Sequence, residues 1–521
     1  MELSYQVISG QEYAKFPGKS VRRNGKIVKE NVIYLGRVID KEHNVFYKKD
    51  RGIYTFDPIT MEYGKADETY VSDIKSDARK KEKLLLDFGD AFFVSGLIAE
   101  MGYDKVLDSI PYRNKDTLRT MVLYYILCSS ANDHAKIWYD GSYVSAAYPK
   151  ANLISQRITD FLQSLGKQET LGAFFDAHIR WVKEQCNDPA VLIDSTGLPN
   201  NIHFPLTAVS NHAGKISREV RLTTLVQRDT GYPLLFRATP GNIVDLSTMT
   251  RTLNDLFLRG MDADFAIMDA GYYTNDNIEE LYFANIEFLT RLSPKFAVYN
   301  KVMEENLAGL RKEENLVQYK GRYVYIKRVE CKIGHKGHPA YAYLGYDVDR
   351  ASDESHKALK KIRQGKTSIP KLHDTLQEAG LFMLVSSLPF TAEGILPAYY
   401  TRQLIEQYFD ISKGSSRLTP LRVHSEEALF GHLMLSMIAS VINVYIQNKT
   451  KHLYNGREEI FMTLRNQKCI VYGTKITTCE PQKQANEFYR TFNIKCPIYF
   501  DKTDAGLKPH YHLSKINPDD V

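Results

Sequence analysis

The sequence predicts an α/β protein built around a mixed sheet. Two short apolar runs of strand length, AVLID and FAIMD, end on Asp194 and Asp269. Between them lie two strand-like runs, VRLTTLVQ and YPLLFRATPG, joined by the turn residues RDTG, and a helix expected to begin after Asn242. A helix NDNIEELYFA and a strand IEFLTRL follow the second aspartate. The resulting order, β-β-β-α-β-α-β, fits an α/β sandwich that begins with a hairpin and continues with crossovers.

Length and composition indicate a folded chain of several domains. A chain of 521 residues predicts roughly three domains. Its hydrophobic fraction of 43% and its 34 tyrosines exclude a disordered protein. The formal net charge of +6 is weakly basic, so it permits nucleic acid as a partner without requiring one.

Residues 1–75 are predicted to be a small β-rich segment with possible DNA contact. Asn24 and Gly25 give a hairpin signal between two strand-like runs. Six cations crowd this hairpin: Lys15, Lys19, Arg22, Arg23, Lys26 and Lys29. They fit a solvated turn and an arm that contacts phosphates equally well.

Residues 76–187 are predicted to be helical, because long apolar runs there are separated by glycine and aspartate. Trp138 and Trp181, the only tryptophans, are expected in the core of this region. No particular residue of this region is indicated as functional. Residues 188–294 and 379–450 form the predicted catalytic core, 295–378 form a β-rich insertion, and no role is predicted for 451–521.

The chain is predicted to lie in the cytoplasm and not in a membrane. Its start, MELSYQVISGQEY, has no apolar segment of the kind that a secretory signal requires. The most apolar run, residues 429–446, is interrupted by polar side chains and is predicted to be a buried helix. Six scattered cysteines predict reduced thiols. The cluster CKIGHKGH, with Cys331, His335 and His338, indicates a loop more than a zinc site.

A predicted helix over residues 399–414 carries an unusual charged stripe. Taken as one helix at about 100° per residue, its Tyr399, Arg402, Glu406 and Lys413 fall within an arc of about 60°. A solvated stripe with an i, i+4 ion pair is the plainer explanation. The two strand-ending aspartates favour a functional one.

Three carboxylates that converge from two strands and a helix would repel one another unless a cation lay between them. Carboxylate oxygens suit magnesium or manganese. Arg402 and Lys413 would then grip phosphates on either side of the cleaved bond. The sequence therefore predicts Asp194, Asp269 and Glu406 as a metal-dependent phosphoryl-transfer site.

These motifs resemble a family. The spacing of Tyr399, Arg402, Glu406 and Lys413 is similar to the Tyr-Arg-Glu-Lys signature of bacterial insertion-sequence DDE transposases, the insertion-sequence-four family. LIDSTG and IMDAGYYTNDNIEEL resemble the two other acidic motifs of that family. The resemblance covers residues of about 190 to 450 and implies a ribonuclease H-like catalytic core with a β-rich insertion, preceded by a small β-rich segment and a helical region.

The resemblance also implies an activity. Asp194, Asp269 and Glu406 would be catalytic metal ligands for two Mg²⁺ or Mn²⁺ ions, while Tyr399, Arg402 and Lys413 would bind DNA. The enzyme would cut DNA at the terminal inverted repeats and join the 3′-hydroxyl to target DNA. A homodimer in the bacterial cytoplasm, associated with the nucleoid, would carry out this reaction. DNA ends would be bound by the helical residues 76–187, and the basic segments 15–29, 79–83 and 357–371 are expected at the end-binding surface.

Two departures and two alternatives accompany this interpretation. Some relatives hold a flipped base with an inserted tryptophan, whereas residues 295–378 contain none, so Phe296, Tyr299 or another aromatic residue would have to substitute. Pro397 either starts the signature helix or kinks one that begins near Thr391. The alternatives are a catalytically inactive DNA-binding protein and a stand-alone metal-dependent nuclease on the same fold.

Overall fold

The structure is a computed structural model that describes residues 3–8, 11–23, 26–48, 51–67, 70, 84–200, 206–212, 215–242, 248–364, 369–451 and 456–512. The chain forms two compact units. The first contains Met1–Leu86, Cys469–Thr478 and Ile498–Val521. The second contains Asp87–Lys468 and Cys479–Pro497.

The first unit is built from strands. They are β1 (Ser4–Ile8), β2 (Gln11–Phe16), β3 (Lys19–Arg23), β4 (Lys26–Glu30), β5 (Ile33–Asp40), β6 (Val45–Lys48), β7 (Gly52–Phe56), β8 (Tyr63–Lys65) and β9 (Leu84–Asp87). Six of them form a sheet in the order β1-β2-β5-β6-β7-β8, and β3 pairs only with β4. The predicted hairpin is therefore present, although its turn at Asn24 and Gly25 lies outside the described residues, as does the predicted basic segment 79–83.

The second unit begins with helices. They are α1 (Gly89–Glu100), α2 (Asp104–Ser109), α3 (Lys115–Leu127), α4 (Ala135–Gly141), α5 (Val144–Ala147), α6 (Ser155–Leu165) and α7 (Gln168–Gln185). The helical character predicted for this region is present from residue 89 onward. Trp181 is buried, as expected, whereas Trp138 is only half-buried and packs against Tyr124.

The central α/β region follows the predicted order. Its elements are β10 (Val191–Pro199), β11 (Ala208–His212), β12 (Lys215–Gln227), β13 (Pro233–Pro240), α8 (Met249–Leu258), β14 (Phe265–Met268), α9 (Asn275–Phe283) and β15 (Glu287–Leu292). β12 lies antiparallel between β13 and β10, and β14 and β15 continue parallel to β10. The α/β class is therefore confirmed. The start expected for α8, directly after Asn242, lies at residues 243–247, outside the described residues.

Two features of this region differ from the prediction. β11 was not expected, and it pairs with the first part of β12. β10 does not end at Asp194 but continues to Pro199, because β12 pairs with it along its whole length. Only the pairing between β10 and β14 stops next to the aspartate.

Residues 295–378 extend the same sheet. They form α10 (Ala297–Asn306), β16 (Leu316–Tyr319), β17 (Arg322–Ile333), β18 (His338–Asp347), α11 (Val348–Arg363) and α12 (Ile369–Glu378), and β19 (Leu381–Ser386) follows. β19 connects β15 to β18, so the order runs β11-β12-β10-β14-β15-β19-β18-β17-β16. The segment expected to be β-rich thus contains three α-helices as well as three strands.

The rest of the chain contributes to both units. It forms α13 (Ala392–Tyr400), α14 (Gln403–Gly414), α15 (Glu426–Thr450), α16 (Arg457–Arg465), β20 (Lys468–Tyr472), β21 (Lys475–Thr478), α17 (Lys483–Thr491), β22 (Tyr499–Thr503) and β23 (Gly506–His510). Among the described residues, α15 alone is long and apolar enough to cross a membrane. Most of it is buried within the protein, as predicted for residues 429–446.

Close packing fixes α15 against the helices that begin this unit. It contacts α3 and α6, and Gly431 makes the approach to α6 possible. A Cβ atom at Gly431 would lie 2.0 Å from the carbonyl oxygen of Leu162. Because real atoms do not approach so closely, only glycine fits here without a backbone shift. The predicted helical region and the predicted catalytic core therefore share one compact unit.

Candidate active site

Asp194 and Asp269 lie side by side on neighbouring parallel strands. The register of β10 and β14 pairs Ile193 with Met268, so the next residue on each strand is an aspartate. Val191–Ile193 and Phe265–Met268 are fully or almost fully buried, and this apolar anchoring fixes where each aspartate emerges. The backbone N–H of Ser195 donates to Asp194 Oδ1 at 2.8 Å. Two carboxylates therefore meet at one edge of the parallel strands.

Glu406 comes from α14, and here the structure corrects the sequence analysis. Residues 399–414 are not one helix, because α13 ends at Tyr400 and α14 starts at Gln403. At the junction the backbone follows the 3₁₀ hydrogen-bond pattern in place of the α-helical one. The N–H of Arg402 donates to the carbonyl of Tyr399, three residues earlier, at 3.1 Å. α13 begins after its N-cap Thr391 and contains Pro397, which agrees with the second reading of that proline.

The guanidinium of Arg402 connects all three predicted metal ligands. Nη2 lies 2.7 Å from Asp194 Oδ2 and 3.4 Å from Glu406 Oε1, while Nη1 lies 3.3 Å from Asp269 Oδ1. The Arg402 side chain is only 14% exposed. Its Nε is buried and has no hydrogen-bond partner among the residues that the structure describes. A single cation thus stands where the three carboxylates converge.

The electrostatics of the cluster follow from burial and from this cation. Burial raises the pKa of Asp194, although Arg402 and the Ser195 N–H oppose the shift. Burial also disfavours the charged form of Arg402, but Asp194 and Asp269 outweigh it and raise the arginine pKa. Asp269 and Glu406 are about half-exposed. The site is therefore a partly buried, strongly charged cleft whose acids depend on a positive partner.

Lys413 and Tyr399 lie beside the acids without an ion pair to them. Lys413 Nζ donates to the hydroxyl of Thr196 on β10, and burial lowers its pKa. Tyr399 belongs to the hydrophobic core beneath α13 and α14, and burial raises its pKa. The structure thus brings four of the other five predicted residues around Arg402, namely Asp194, Asp269, Glu406 and Tyr399. Lys413, on α14, instead reaches Thr196 of β10.

The chemistry of the donor set decides which cation would fit. Among the described residues, no group of three or more His, Cys, Asp or Glu side chains is assembled around an empty metal position. The carboxylates of Asp194, Asp269 and Glu406 instead surround a guanidinium. They offer only hard oxygen donors, which are the ligands of magnesium and manganese. These residues therefore fit a divalent ion that takes over the position of the Arg402 charge.

The second candidate cluster forms ion pairs. His335 Nε2 lies 3.1 Å from Asp276 Oδ1, and His338 Nε2 lies 2.9 Å from Glu279 Oε2, both on α9. Burial raises the pKa of the Cys331 thiol to about 11. All six cysteines are free.

The sequence analysis missed a buried charged pair near the site. Glu219 and Arg221 on β12 are both almost completely buried, and their side chains approach to 3.8 Å. A Cβ atom at Gly197 would lie 2.2 Å from Glu219 Oε2, so glycine makes room for this carboxylate. The alternating charges in the sequence REVRL could have indicated this pair.

The predicted substitute aromatic Tyr299 lines a cavity of about 440 Å³ together with Arg291 and other cations.

Comparison with known proteins finds a family model that matches part of the chain. Residues 185–442, just under half of the chain, match the family model described as "Transposase DDE domain". The matched segment contains all six predicted site residues, and the match supports a DDE transposase.

One solved structure is similar over a longer stretch. It is a cryo-EM structure of a piggyBac transposase synaptic complex with hairpin DNA. The two chains share 11% identity with a TM-score of 0.39, and the similarity covers 72% of this chain and 78% of the other. The search of curated proteins finds no match.

Proposed function

We propose that this protein is an insertion-sequence DDE transposase of the group with the Tyr-Arg-Glu-Lys signature. It cuts DNA at the terminal inverted repeats of its element and joins the freed 3′-hydroxyl to target DNA. In this proposal it acts as a homodimer in the bacterial cytoplasm, associated with the nucleoid. The observation that carries the proposal is the convergence of Asp194, Asp269 and Glu406 on one cationic point.

The strand order supports a ribonuclease H-like core. Within the α/β region the order β13-β12-β10-β14-β15 places the third, second, first, fourth and fifth strands of that core side by side. β10 and β14 supply the two aspartates, and α14 supplies the glutamate. Sites of open α/β sheets form at the carboxyl ends of such parallel strands.

Each site residue has a defined task in this mechanism. Asp194, Asp269 and Glu406 hold two Mg²⁺ or Mn²⁺ ions, which, when bound, supply an activated water and a stabilised leaving oxygen. Arg402, released from the carboxylates, pairs with a DNA phosphate through its planar fork of donors. Lys413 adds a second positive charge along β10. Tyr399 supports Arg402 from the core and offers its hydroxyl to the DNA backbone.

Single alanine substitutions of the three acids test the proposal. Asp194→Ala, Asp269→Ala and Glu406→Ala should each abolish nicking of labelled inverted-repeat DNA in magnesium, while DNA binding without metal stays close to wild type. The matched control is Asp276→Ala, which removes an exposed carboxylate that pairs with His335 away from the site. Near wild-type nicking by any of the three variants would remove that residue from the site.

A strand-joining assay separates a transposase from a nuclease on the same fold. A pre-cut end with a free 3′-hydroxyl is incubated with supercoiled plasmid, magnesium and the wild-type protein. We expect covalent joining of the end to the plasmid. Nicking without any joining would favour the stand-alone nuclease, and neither reaction would favour an inactive DNA-binding protein.

A further inference from the structure

One face of the six-stranded sheet in the first unit forms a closed core. Its buried side chains are Ala14, Phe16, Leu35, Phe46, Tyr54 and Phe56. Because side chains alternate across a strand, the intervening residues must point to the opposite face. That opposite face is not apolar, and its composition is the basis of this inference.

Cross-strand pairing aligns aromatic and basic side chains on this outer face. Tyr13 of β2 pairs with Arg37 of β5, which pairs with Tyr47 of β6. On the neighbouring row, Lys15 pairs with Tyr34. Tyr34 is 68% exposed and Tyr47 is 40% exposed, whereas most tyrosines of a folded domain bury more of the ring. These five residues are called the aromatic-basic face below.

Two acids of this sheet already have partners. Glu12 alternates with Tyr13 along β2 and forms an ion pair with Lys41 at 3.0 Å. Asp40, which pairs with Val45 across β5 and β6, accepts hydrogen bonds from Tyr70 and from the backbone of His43. Among the described residues, no carboxylate forms an ion pair with the two cations of the face, Lys15 and Arg37.

The basic hairpin is joined to the strands that carry this face. Lys15 lies next to Phe16, the last residue of β2, and β3 starts three residues further along the chain. At the other end of the hairpin, β4 leads into β5, whose second residue is Tyr34. Arg22 and Lys29 on the hairpin are exposed. Cations thus extend from the hairpin to the Lys15 and Tyr34 row at the same end of the sheet.

We propose that the aromatic-basic face binds a single strand of DNA, with bases stacked on Tyr34 and Tyr47 and phosphates held by Lys15 and Arg37. Rings interleaved with cations are the arrangement by which proteins bind unpaired strands, because every base has a stacking surface. Tyr34 lies on β5 and Tyr47 on the adjacent strand β6, and neighbouring strands are about 4.8 Å apart. Arg37 pairs with Tyr47 and follows Tyr34 by three residues on β5, so a cation lies near both tyrosines. The inference rests on the proposed function only in naming DNA as the nucleic acid.

Fluorescence anisotropy without metal tests the proposal on the full-length protein. The probe is a labelled 15-nucleotide single strand of mixed sequence, compared with the same sequence as a duplex. The double variant Tyr34→Ala/Tyr47→Ala should bind the single strand at least about 25-fold more weakly, since each of the two stacked bases contributes a factor of about 5 or more. Tyr34→Phe/Tyr47→Phe should bind like wild type, because phenylalanine keeps the stacking ring.

Two controls make the result specific. Tyr472→Ala removes a tyrosine of similar exposure, 46%, from another sheet of the same unit and should leave binding unchanged. Arg37→Gln should reduce the salt dependence of single-strand binding by about 0.7 units of slope. Equal thermal unfolding of all variants shows that they fold.

Several outcomes would overturn the inference. They are wild-type binding by the double alanine variant, equal losses for the alanine and phenylalanine pairs, and an equal loss for Tyr472→Ala. If wild-type protein nicks and joins ends but the face variants bind normally, the inference fails and the proposed function stands. If wild-type protein binds single strands through this face but shows no metal-dependent cleavage, the proposed function fails and the inference stands.

Discussion

Replacing Arg402 is expected to tighten metal binding, contrary to the usual effect of a mutation in an active site. The Arg402 guanidinium bonds to Asp194, Asp269 and Glu406, so a divalent ion that bound these carboxylates would have to displace it. Arg402→Gln keeps most of the side-chain volume but removes the competing charge. The ion then meets carboxylates that no longer have a cationic partner.

The size of this effect follows from the three contacts. The contact at 2.7 Å joins Arg402 to the mostly buried Asp194. Charge-assisted hydrogen bonds of this kind contribute about 1.5–3 kcal/mol. The contacts to the half-exposed Asp269 and Glu406 are longer, and exposed ion pairs add about 0–1 kcal/mol. Losing the first contact alone predicts metal binding about 10- to 150-fold tighter.

Calorimetric titration of the full-length protein with MnCl₂ measures this affinity directly. The control variant is Arg237→Gln, because Arg237 forms an ion pair with Asp255 at 3.2 Å elsewhere in the same unit. The control should bind Mn²⁺ like wild type. Strand cleavage by Arg402→Gln should still fall, since its phosphate contact is also lost. Unchanged or weaker Mn²⁺ binding by Arg402→Gln would refute the competition argument and would assign Arg402 the role of holding the ligands in place.

Three further predictions concern the neighbouring lysine, the packing of the unit and its pH dependence. Lys413→Met should weaken binding to end DNA and reduce its salt slope by about one unit, and an unchanged slope would show that Lys413 only bonds to the sheet. Gly431→Ala should lower the free energy of unfolding by about 1–3 kcal/mol, because the new methyl group overlaps a carbonyl of a neighbouring helix. Gly172→Ala, at a helical position with open space around it, should instead stabilise the protein by about 0.5–1 kcal/mol. Similar urea denaturation midpoints for the two alanine variants would contradict the packing argument. Burial lowers the pKa of His432 to about 4 from 6.5, so between these values the unfolded state binds the extra proton and stability falls as the pH falls. His432→Gln should therefore reduce the loss of stability between pH 6.5 and pH 4. Part of the loss will remain, because His178 is similarly buried. An unaltered profile of stability against pH would show that His432 does not contribute to it.

The placement of the two aspartates could be predicted because it depends on local pattern. Apolar runs of four or five residues that end in Asp194 and Asp269 specify buried strands with one polar end, and parallel neighbours align those ends. The order of strands and helices between them follows from the same alternation. The continuation of β10 beyond Asp194 could not be predicted in the same way. The residues STGLP have the composition of a turn, and they form a strand because β12 pairs with them.

The arrangement around Arg402 could not be predicted from helical spacing. A single helix over 399–414 places Arg402 and Glu406 on one face, but the break at residues 401–402 reorients the arginine toward the strands. Which partner it selects depends on residues more than 130 positions away, Asp194 and Asp269. Similarly, no local signal reveals that strands from residues 469–478 and 499–510 belong to the first unit, because that depends on long-range pairing.

The central claim is that Asp194, Asp269 and Glu406 bind the metal ions that cleave DNA, and a change of ligand at Asp269 tests it most directly. Asp269→Cys replaces a hard oxygen donor with a thiolate, which binds manganese better than magnesium. We expect this variant to lose nicking of inverted-repeat DNA in Mg²⁺ and to recover a measurable part of it in Mn²⁺, whereas Asp269→Ala stays inactive in both ions. Nicking by Asp269→Cys at the wild-type rate in both ions would contradict the claim, because a residue that does not touch the metal has no reason to distinguish between them.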